Sequence, residues 1–307
     1  MAIVAAMAVP HPPIILPEIG RGEEKKIAKT AAAYREVMRR AAELEPDTVV
    51  ITSPHATMYS DYFHISPGKS ARGDFSAFRC PEVEIEAEYD AAFSKALADA
   101  CAEEDLPAGF LGEREPALDH GTMIPLYFLQ PALKKPVKVV RIGLSGLSAD
   151  VHYRLGRLIK DTAEKLGRRT VFIASGDLSH KLKEDGPYGF AKEGPVFDEA
   201  VTEDLGKADF LSLLTISPDL AEGAAECGLR SFWIMAGALD CQRVHAELLA
   251  HEGTFGVGYG VAYFTPEGED DARDIGRQLI DAETQAIAKV REQEDAYVRL
   301  AREAHIG

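Results

Sequence analysis

Four of the nine histidines lie in stretches that suit chemistry better than packing. Each follows an apolar run or sits at a turn, next to proline, glycine or another small residue. Side chains at such breaks can point into a cleft, where an imidazole can bind a metal or transfer a proton near neutral pH. The four are His11 in Pro-His-Pro-Pro, His55 in Pro-His-Ala-Thr, His120 in Asp-His-Gly-Thr and His180 in Gly-Asp-Leu-Ser-His. The other five histidines are interpreted as surface or ordinary strand residues.

A transition-metal site needs more than imidazoles, and the sequence offers one well-placed carboxylate. Two histidines and one carboxylate on one face of Fe(II) leave open positions for a substrate and dioxygen. Glu226 precedes the Gly228 break and the apolar helix that holds Trp233, so it is the best candidate for the third ligand. Acidic residues are also favoured in the first turn of a helix by the helix dipole. From the local sequence, Glu226 fits a metal ligand or a solvated helix residue.

The elements that must position these side chains follow one another in an alternating order. Apolar strand-like runs are predicted at 2–9, 48–52, 83–86, 137–144, 170–174, 244–250 and 256–264. Helical patterns are predicted at 23–44, 89–104, 151–166, 195–206 and 229–239. Strands separated by helices indicate an α/β fold with three layers, α/β/α, around a mixed, largely parallel central sheet. His11 then lies at a strand's carboxyl end, where open α/β sheets bind ligands.

The chain divides at Thr265-Pro266-Glu267-Gly268. Residues 1–266 carry the alternating pattern and are predicted to form one domain. Residues 267–307 hold eleven acidic and six basic residues with few apolar ones, which predicts an acidic helical tail or linker that buries little.

Composition excludes several functional classes. The formal net charge of −16 disfavours nucleic acid and anionic membrane surfaces, since both attract basic proteins. No apolar run approaches the roughly 20 residues of a membrane span, and the N-terminus lacks the basic region of a signal peptide. The four cysteines show no Cys-x-x-Cys spacing. We therefore expect a cytoplasmic protein that binds a small molecule.

The histidine motifs, together with Glu226 ahead of the Trp233 helix, resemble the class III extradiol dioxygenases, the LigB-like family, over roughly residues 3–264. The resemblance implies that His11, His55 and Glu226 bind non-haem Fe(II), although another divalent metal such as Zn would also fit. It implies that His180 is the acid/base and that His120 orients substrate and oxygen. The expected substrates are a small aromatic diol, such as a catechol, and dioxygen. Proteins of this family tend to be homodimers.

Two features resemble a different branch of the same scaffold. Cys227 stands beside Glu226, and Memo-type relatives place a cysteine where the dioxygenases place the carboxylate. The stretch from Glu294 to Glu303 resembles the opening of an AMMECR-type domain, a fusion that is typical of a Memo-related group. The alternative function is therefore a metal-binding or redox interaction protein that keeps the scaffold without ring cleavage.

Overall fold

The computed structural model describes residues 2–292, so the AMMECR-like stretch lies outside the described residues. Its centre is a six-stranded sheet in the order β7-β2-β8-β1-β10-β9. The strands, numbered along the chain, are β1 Ile3–Val9, β2 Thr48–Ser53, β3 Phe63–His64, β4 Ser70–Phe75, β5 Cys80–Glu88, β6 Ala108–Gly109, β7 Lys138–Gly143, β8 Thr170–Ser175, β9 Gln242–Glu252 and β10 Tyr259–Glu269. Two small sheets pair β3 with β6 and β4 with β5.

The four strands β7, β2, β8 and β1 run parallel, and β10 is antiparallel to both β1 and β9. Helices cover both faces of this sheet. They are α1 Pro17–Gly20, α2 Ala28–Glu43, α3 Ala91–Glu103, α4 His120–Leu129, α5 Ala149–Lys165, α6 Glu193–Lys207, α7 Phe210–Leu214, α8 Pro218–Ala224, α9 Leu229–Ala238 and α10 Ile275–Glu292. The predicted three-layer fold with a mixed, largely parallel sheet is confirmed.

Side-chain alternation along the parallel strands separates two apolar cores. In β1, Ala6 and Ala8 face the core beneath α3, α5 and α9, whereas Met7 and Val9 face the core beneath α2 and α4. Successive strand residues point to opposite faces, so a strand that is apolar throughout must be covered on both sides. The sequence of β1 therefore requires the two helical layers that the structure has.

The predicted strand positions are confirmed, with ends that move by a few residues. The short helices α1, α7 and α8 were not predicted, and two longer helical regions also differ. The first predicted helix begins later: a 3-10 turn at Glu23–Ile27 precedes α2. Helix α4 was not predicted as a helix, because Pro125 lies inside it and normally indicates a break. His120, expected at a turn, is the first residue of α4.

The segment after residue 266 is more closely attached than its composition indicates. Strand β10 continues to Glu269, and α10 then begins at Ile275. Ile275 and Leu279 are buried, and the Ile275 N–H donates to Asp240 at 3.0 Å. The first turn of α10 thus packs against the α/β core, while its later apolar residues Ile280, Ile287 and Val290 are exposed.

None of the helices between residues 2 and 292 combines the length with the apolar character that a bilayer crossing demands.

Candidate metal centre

Three parallel strands deliver a polar side chain to the same edge of the sheet, each two residues after the strand ends. His11 follows β1, His55 follows β2 and Asp177 follows β8. The strands are neighbours in the order β2-β8-β1, so their carboxyl ends meet. This edge is where open α/β sheets bind ligands. The structure therefore brings His11 and His55 together, with their Nε2 atoms 3.2 Å apart.

His11 is held in one tautomer by two hydrogen bonds in series. The Ser175 hydroxyl donates to the Gly121 carbonyl at 2.6 Å, which uses its only proton. Ser175 must then accept from His11 Nδ1–H, 3.0 Å away. Nε2 of His11 is consequently unprotonated, and it faces His55 Nε2 and the Cys227 sulfur, the latter at 3.6 Å. A metal-binding histidine is commonly oriented in this way through its other nitrogen.

His120 completes a cluster of three imidazoles from the start of α4. Its ring centroid lies 4.0 Å from that of His55 and 5.4 Å from that of His11. One nitrogen from each of the three rings lies within 4.8 Å of the other two. Gly121 allows this approach, because a Cβ atom there would collide with the Ser53 hydroxyl.

Asp119 ties α4 to the sheet beneath the cluster. It caps the helix by accepting from Thr122 N–H at 3.0 Å, and it accepts from the Ser53 hydroxyl at 2.6 Å. The buried Arg141 guanidinium binds the same carboxylate, with Nη2 at 3.0 Å. Burial raises the pKa of Asp119, but Arg141 and these hydrogen bonds together hold the pKa below its ordinary value. Asp119 is therefore a fixed negative charge behind the imidazoles.

The electrostatics keep two of the imidazoles neutral. Burial, reinforced by the neighbouring His55, lowers the pKa of His11 to about 3 and that of His120 to about 3. A metal ligand must offer a nitrogen lone pair, so both rings are in the binding form at neutral pH. Burial also raises the pKa of Asp177 to about 6, although its Oδ1 accepts from the His11 backbone N–H at 2.8 Å.

The turn between α8 and α9 sends its two candidate ligands in different directions. Cys227 faces His11, and it forms a second group with His11 and Asp177 that has the spacing of metal ligands. Glu226 belongs neither to this group nor to the cluster of His11, His55 and His120. Its Oε2 instead accepts from the Leu229 N–H at 2.6 Å, and it lines a separate cavity with Arg230. Glu226 thus caps α9 in this arrangement.

His180 lies beside the cluster on the loop that follows β8. Its Nδ1–H donates to the Ala225 carbonyl at 2.6 Å, which leaves Nε2 free to accept a proton. The Tyr188 ring contacts the imidazole edge-on, with centroids 5.0 Å apart. The His180 backbone N–H also donates to the Ala224 carbonyl at 3.0 Å, so His180 is attached to the turn that carries Cys227.

Sequence reasoning missed three polar residues that organise the site: Ser175, Asp177 and Asp119. The signal for the first two was present, because Ser-Gly-Asp follows the fifth apolar run, at 170–174, much as Pro-His follows the first two. Asp119 carried an Asp-x-x-Thr pattern, in which a helix cap precedes its partner by three residues. The packing of Gly176 against Gly228, which brings Cys227 to the sheet edge, left no comparable local signal.

With this geometry in place, comparisons with known proteins identify the family. Residues 5–262 match the family described as the catalytic LigB subunit of aromatic ring-opening dioxygenase. The chain belongs to this family.

Two curated relatives match along most of the chain. Protein CA_C1420 of Clostridium acetobutylicum is 35% identical over 99% of this chain, which spans 66% of that protein's length. The 2-aminophenol 1,6-dioxygenase beta subunit of a Pseudomonas species is 26% identical over 84% of this chain and 92% of its own.

A solved structure shares the fold. The crystal structure of the uncharacterized protein JW3007 from Escherichia coli K12 superposes with a TM-score of 0.56 and 16% sequence identity. The match covers 85% of this chain and 99% of that one. At this identity the similarity concerns the fold alone.

Proposed function

We propose that this chain is a metal-dependent oxygenase that opens a small aromatic ring bearing two adjacent donor groups, such as a catechol or an aminophenol. The observation that carries the proposal is the contact between His11 Nε2 and His55 Nε2 at 3.2 Å, with the His11 lone pair fixed towards it. Without a metal, a neutral His55 satisfies this lone pair by donating its Nε2–H to His11. With His55 in its other tautomer, both nitrogens present lone pairs to the same point, where one divalent metal can bind them.

The donor atoms around this point fit a divalent transition metal. Imidazole nitrogens suit iron, zinc and copper, whereas a thiolate favours zinc or copper over Fe(II). His11 and His55 are proposed as ligands in each case. The third position is open to Cys227 as the chain stands, or to Glu226 if it leaves the Leu229 N–H. Fe(II) is the metal that the expected ring opening requires, and Zn remains the competing metal.

The surrounding residues have distinct proposed tasks. A metal held by these residues would act as a Lewis acid and would lower the pKa of the hydroxyl groups of a chelating ring. His180, with Nδ1–H committed to Ala225, accepts the released proton at Nε2 and can return it later. His120, at the start of α4, donates to or accepts from the bound ring and oxygen. Asp119 and Arg141 keep α4, and with it His120, in position.

The relative from Pseudomonas supports the oxygenase assignment, because its name describes a 1,6-dioxygenase of 2-aminophenol. That name also describes a beta subunit, so association between chains is part of the proposal, with a homodimer as the expected form. We further propose that the protein works in the cytoplasm, with dioxygen and a small aromatic diol as its small-molecule partners.

A second function is favoured by one contact. The Cys227 sulfur lies 3.6 Å from His11 Nε2, while Glu226 is engaged with the Leu229 N–H. A centre of two imidazoles and one thiolate suits a metal-binding or redox interaction protein of the Memo-like type, without ring cleavage. The AMMECR-like stretch is consistent with that alternative.

One experiment separates the two functions. The protein is purified anaerobically, loaded with Fe(II) or with Zn, and mixed with catechol or 2-aminophenol while oxygen uptake is recorded. The oxygenase proposal predicts oxygen uptake with Fe(II) alone and loss of uptake in His55→Ala, but not in the exposed control variant His245→Ala. Tight metal binding without uptake on either ring would favour the alternative.

A further inference from the structure

A contact between a histidine and a buried carboxylate lies next to the loop that carries His180, outside the candidate metal centre. His251 on β9 has its Nε2 atom 2.6 Å from Oδ2 of Asp198 on α6. Asp198 is buried, whereas 33% of the His251 side chain is exposed. We call Asp198 and His251 the α6–β9 pair. Sequence reasoning found a role for neither of them.

The other oxygen of Asp198 holds the residue that precedes His180. Oδ1 accepts from the Ser179 N–H at 2.8 Å, in a contact that is buried. An ionised carboxylate accepts hydrogen bonds and donates none, so the His251 ring presents its Nε2–H to Oδ2. One donor on each oxygen thus fixes the plane of the carboxylate.

Gly258 shapes the space that the Asp198 carboxylate occupies. A Cβ atom at this position would collide with the carboxylate, so the close approach requires glycine. The Gly258 N–H donates to the Ser179 carbonyl at 2.7 Å, and its own carbonyl accepts from the Leu178 N–H at 2.8 Å. The loop before His180 is therefore joined to the residue before β10 at the point where Asp198 also contacts it.

These contacts fix the backbone of Ser179 on both sides. Asp198 holds the peptide before this residue, and Gly258 holds the peptide after it. The Ser179 hydroxyl donates to the Ala224 carbonyl at 3.0 Å, so every polar group of this buried residue has a partner. Of the three contacts, the one to Asp198 is the contact that a side-chain substitution can remove while the backbone partners remain.

The conformation of Ser179 determines where the His180 ring lies. The His180 N–H donates to the Ala224 carbonyl at 3.0 Å, and its Nδ1–H donates to the Ala225 carbonyl at 2.6 Å. The second bond leaves Nε2 unprotonated in the neutral ring. If the peptide before Ser179 rotates, the ring can lose the Ala225 carbonyl and adopt the other tautomer.

We propose that Asp198 and His251 are positioning residues for the acid/base His180. In this arrangement His251 fixes the Asp198 carboxylate and the carboxylate fixes Ser179. Ser179 in turn fixes the His180 ring with Nε2 free. The inference rests on the proposed function, because His180 transfers protons only in that reaction. The tautomer of the ring does not depend on any reaction, so it can be measured without turnover.

The first test compares two substitutions of similar size that differ in one donor. His251→Gln offers an amide N–H close to the position of the imidazole Nε2–H, whereas His251→Leu offers none. The tautomer of His180 is measured from the ¹⁵N shifts of its ring in metal-free protein labelled with ¹⁵N-histidine. The measurement is made at about pH 8, where histidine is ordinarily neutral. His180→Gln identifies the signal.

The wild-type protein and His251→Gln are expected to show one tautomer, with Nδ1 protonated. In His251→Leu the ratio of this tautomer to the other should fall by at least about tenfold, the effect of losing one typical hydrogen bond. Asp198→Ala should produce the same change. Combining it with His251→Leu should add nothing, because the two residues act in series. His251→Ala replaces His251→Leu if the latter does not fold.

Matched controls come from the same two elements. His245→Leu removes another histidine of β9, and Glu199→Ala removes an exposed carboxylate beside Asp198. Neither substitution should alter the His180 signal. The melting temperature of each variant shows whether it is folded.

The second test uses the protein loaded with Fe(II), with catechol as the ring and oxygen uptake as the signal. His251→Leu should lower kcat by up to about 10²-fold, with KM and bound metal unchanged, because a displaced acid/base slows proton transfer without altering ring binding. His251→Gln should restore most of the rate. A rise in KM with kcat unchanged would contradict a positioning role.

An unchanged His180 tautomer in folded His251→Leu would overturn the proposal. An equal change in His251→Gln would also overturn it, because the packing of the ring and not its donor would then be responsible. The proposed function and this inference can fail separately. If no aromatic ring is opened, the tautomer still decides whether the α6–β9 pair positions His180. If rings are opened and the tautomer does not change, the proposed function stands without the pair.

Discussion

Two regions of the site lie in contact but differ in what determines their geometry. The strand ends that carry His11 and His55 follow apolar parallel strands whose direction is fixed by burial on both faces. The turn that carries Glu226 and Cys227 follows α8, which ends with Ala225 in a left-handed conformation, at a φ of +52°. In the first region, the packed sheet determines the direction of the side chains. In the second region, the backbone conformation of one residue, Ala225, determines it.

The difference indicates which of the proposed ligands keep their positions when a metal binds. A strand end cannot redirect its side chain without disturbing the sheet, so His11 and His55 are expected to stay in place whichever metal is bound. For Glu226 to replace Cys227 as the proposed ligand, the turn would have to rotate and break the hydrogen bond from the Leu229 N–H. Breaking it costs on the order of 1–2 kcal/mol, which a metal–carboxylate bond can offset.

The largest effect is expected for substitution of His180. This residue lies on the loop after β8, and its proposed role is to transfer protons and not to bind the metal. His180→Ala should lower the rate of ring opening by about 10²–10⁴, while the bound metal per chain stays unchanged. Oxygen uptake measures the rate, and elemental analysis of the same sample measures the metal bound per chain. Equal loss of metal and activity would make His180 a ligand and would blur the distinction between the regions.

Ser175→Ala tests whether the hydrogen bond from His11 Nδ1–H to Ser175 fixes the orientation of the His11 ring. The substitution removes the oxygen that accepts from His11 Nδ1–H, so the ring can adopt the other tautomer. Metal affinity should fall by about 10–100-fold, as is usual for the loss of an orienting partner. The buried Ser94→Ala serves as a control in a competition titration, since the Ser94 hydroxyl has no partner in the described structure. Equal affinities in the two variants would contradict the account.

Acid titration of the metal-free protein tests the burial of the imidazoles. The pKa values of His11 and His120 are lowered to about 3, whereas in the unfolded chain they take up protons near pH 6.5. Between these two pH values only the unfolded chain binds the protons. The free energy of unfolding is therefore highest above about pH 6.5 and decreases as the pH falls towards 3. The free energy of unfolding is measured in urea at pH 6 and at pH 5. The decrease between these two values should be smaller in His120→Asn than in the wild-type protein, by up to about 1.4 kcal/mol. An unchanged slope would contradict burial of this ring.

The smallest effect is expected at the turn. Glu226→Ala removes a helix cap and should cost about 1 kcal/mol of unfolding free energy in urea, with little change in Zn affinity. Cys227→Ser should do the reverse, with little change in stability and weaker Zn binding. If Glu226→Ala loses the metal and Cys227→Ser keeps it, the carboxylate is the third ligand and the turn rearranges on binding.

The same contrast explains how much could be predicted from the sequence. The buried strands, the histidines at their ends and the three-layer fold follow from apolar runs and the breaks that end them. Which of Glu226 and Cys227 faces His11 depends on the backbone at Ala225 and on the contact of Gly176 with Gly228, which are properties of the folded chain. The attachment of α10 likewise depends on two buried residues, Ile275 and Leu279, in an otherwise charged segment.

The central claim is that His11 and His55 hold a divalent metal at the carboxyl edge of the sheet. X-ray absorption spectroscopy of the purified protein, combined with elemental analysis, tests it most directly. We expect one metal per chain with at least two imidazole nitrogens at about 2.0–2.1 Å, a sulfur at about 2.3 Å if Cys227 is the third ligand, and loss of the signal in His55→Ala. A metal bound only through oxygen, or one that His55→Ala retains unchanged, would contradict the account.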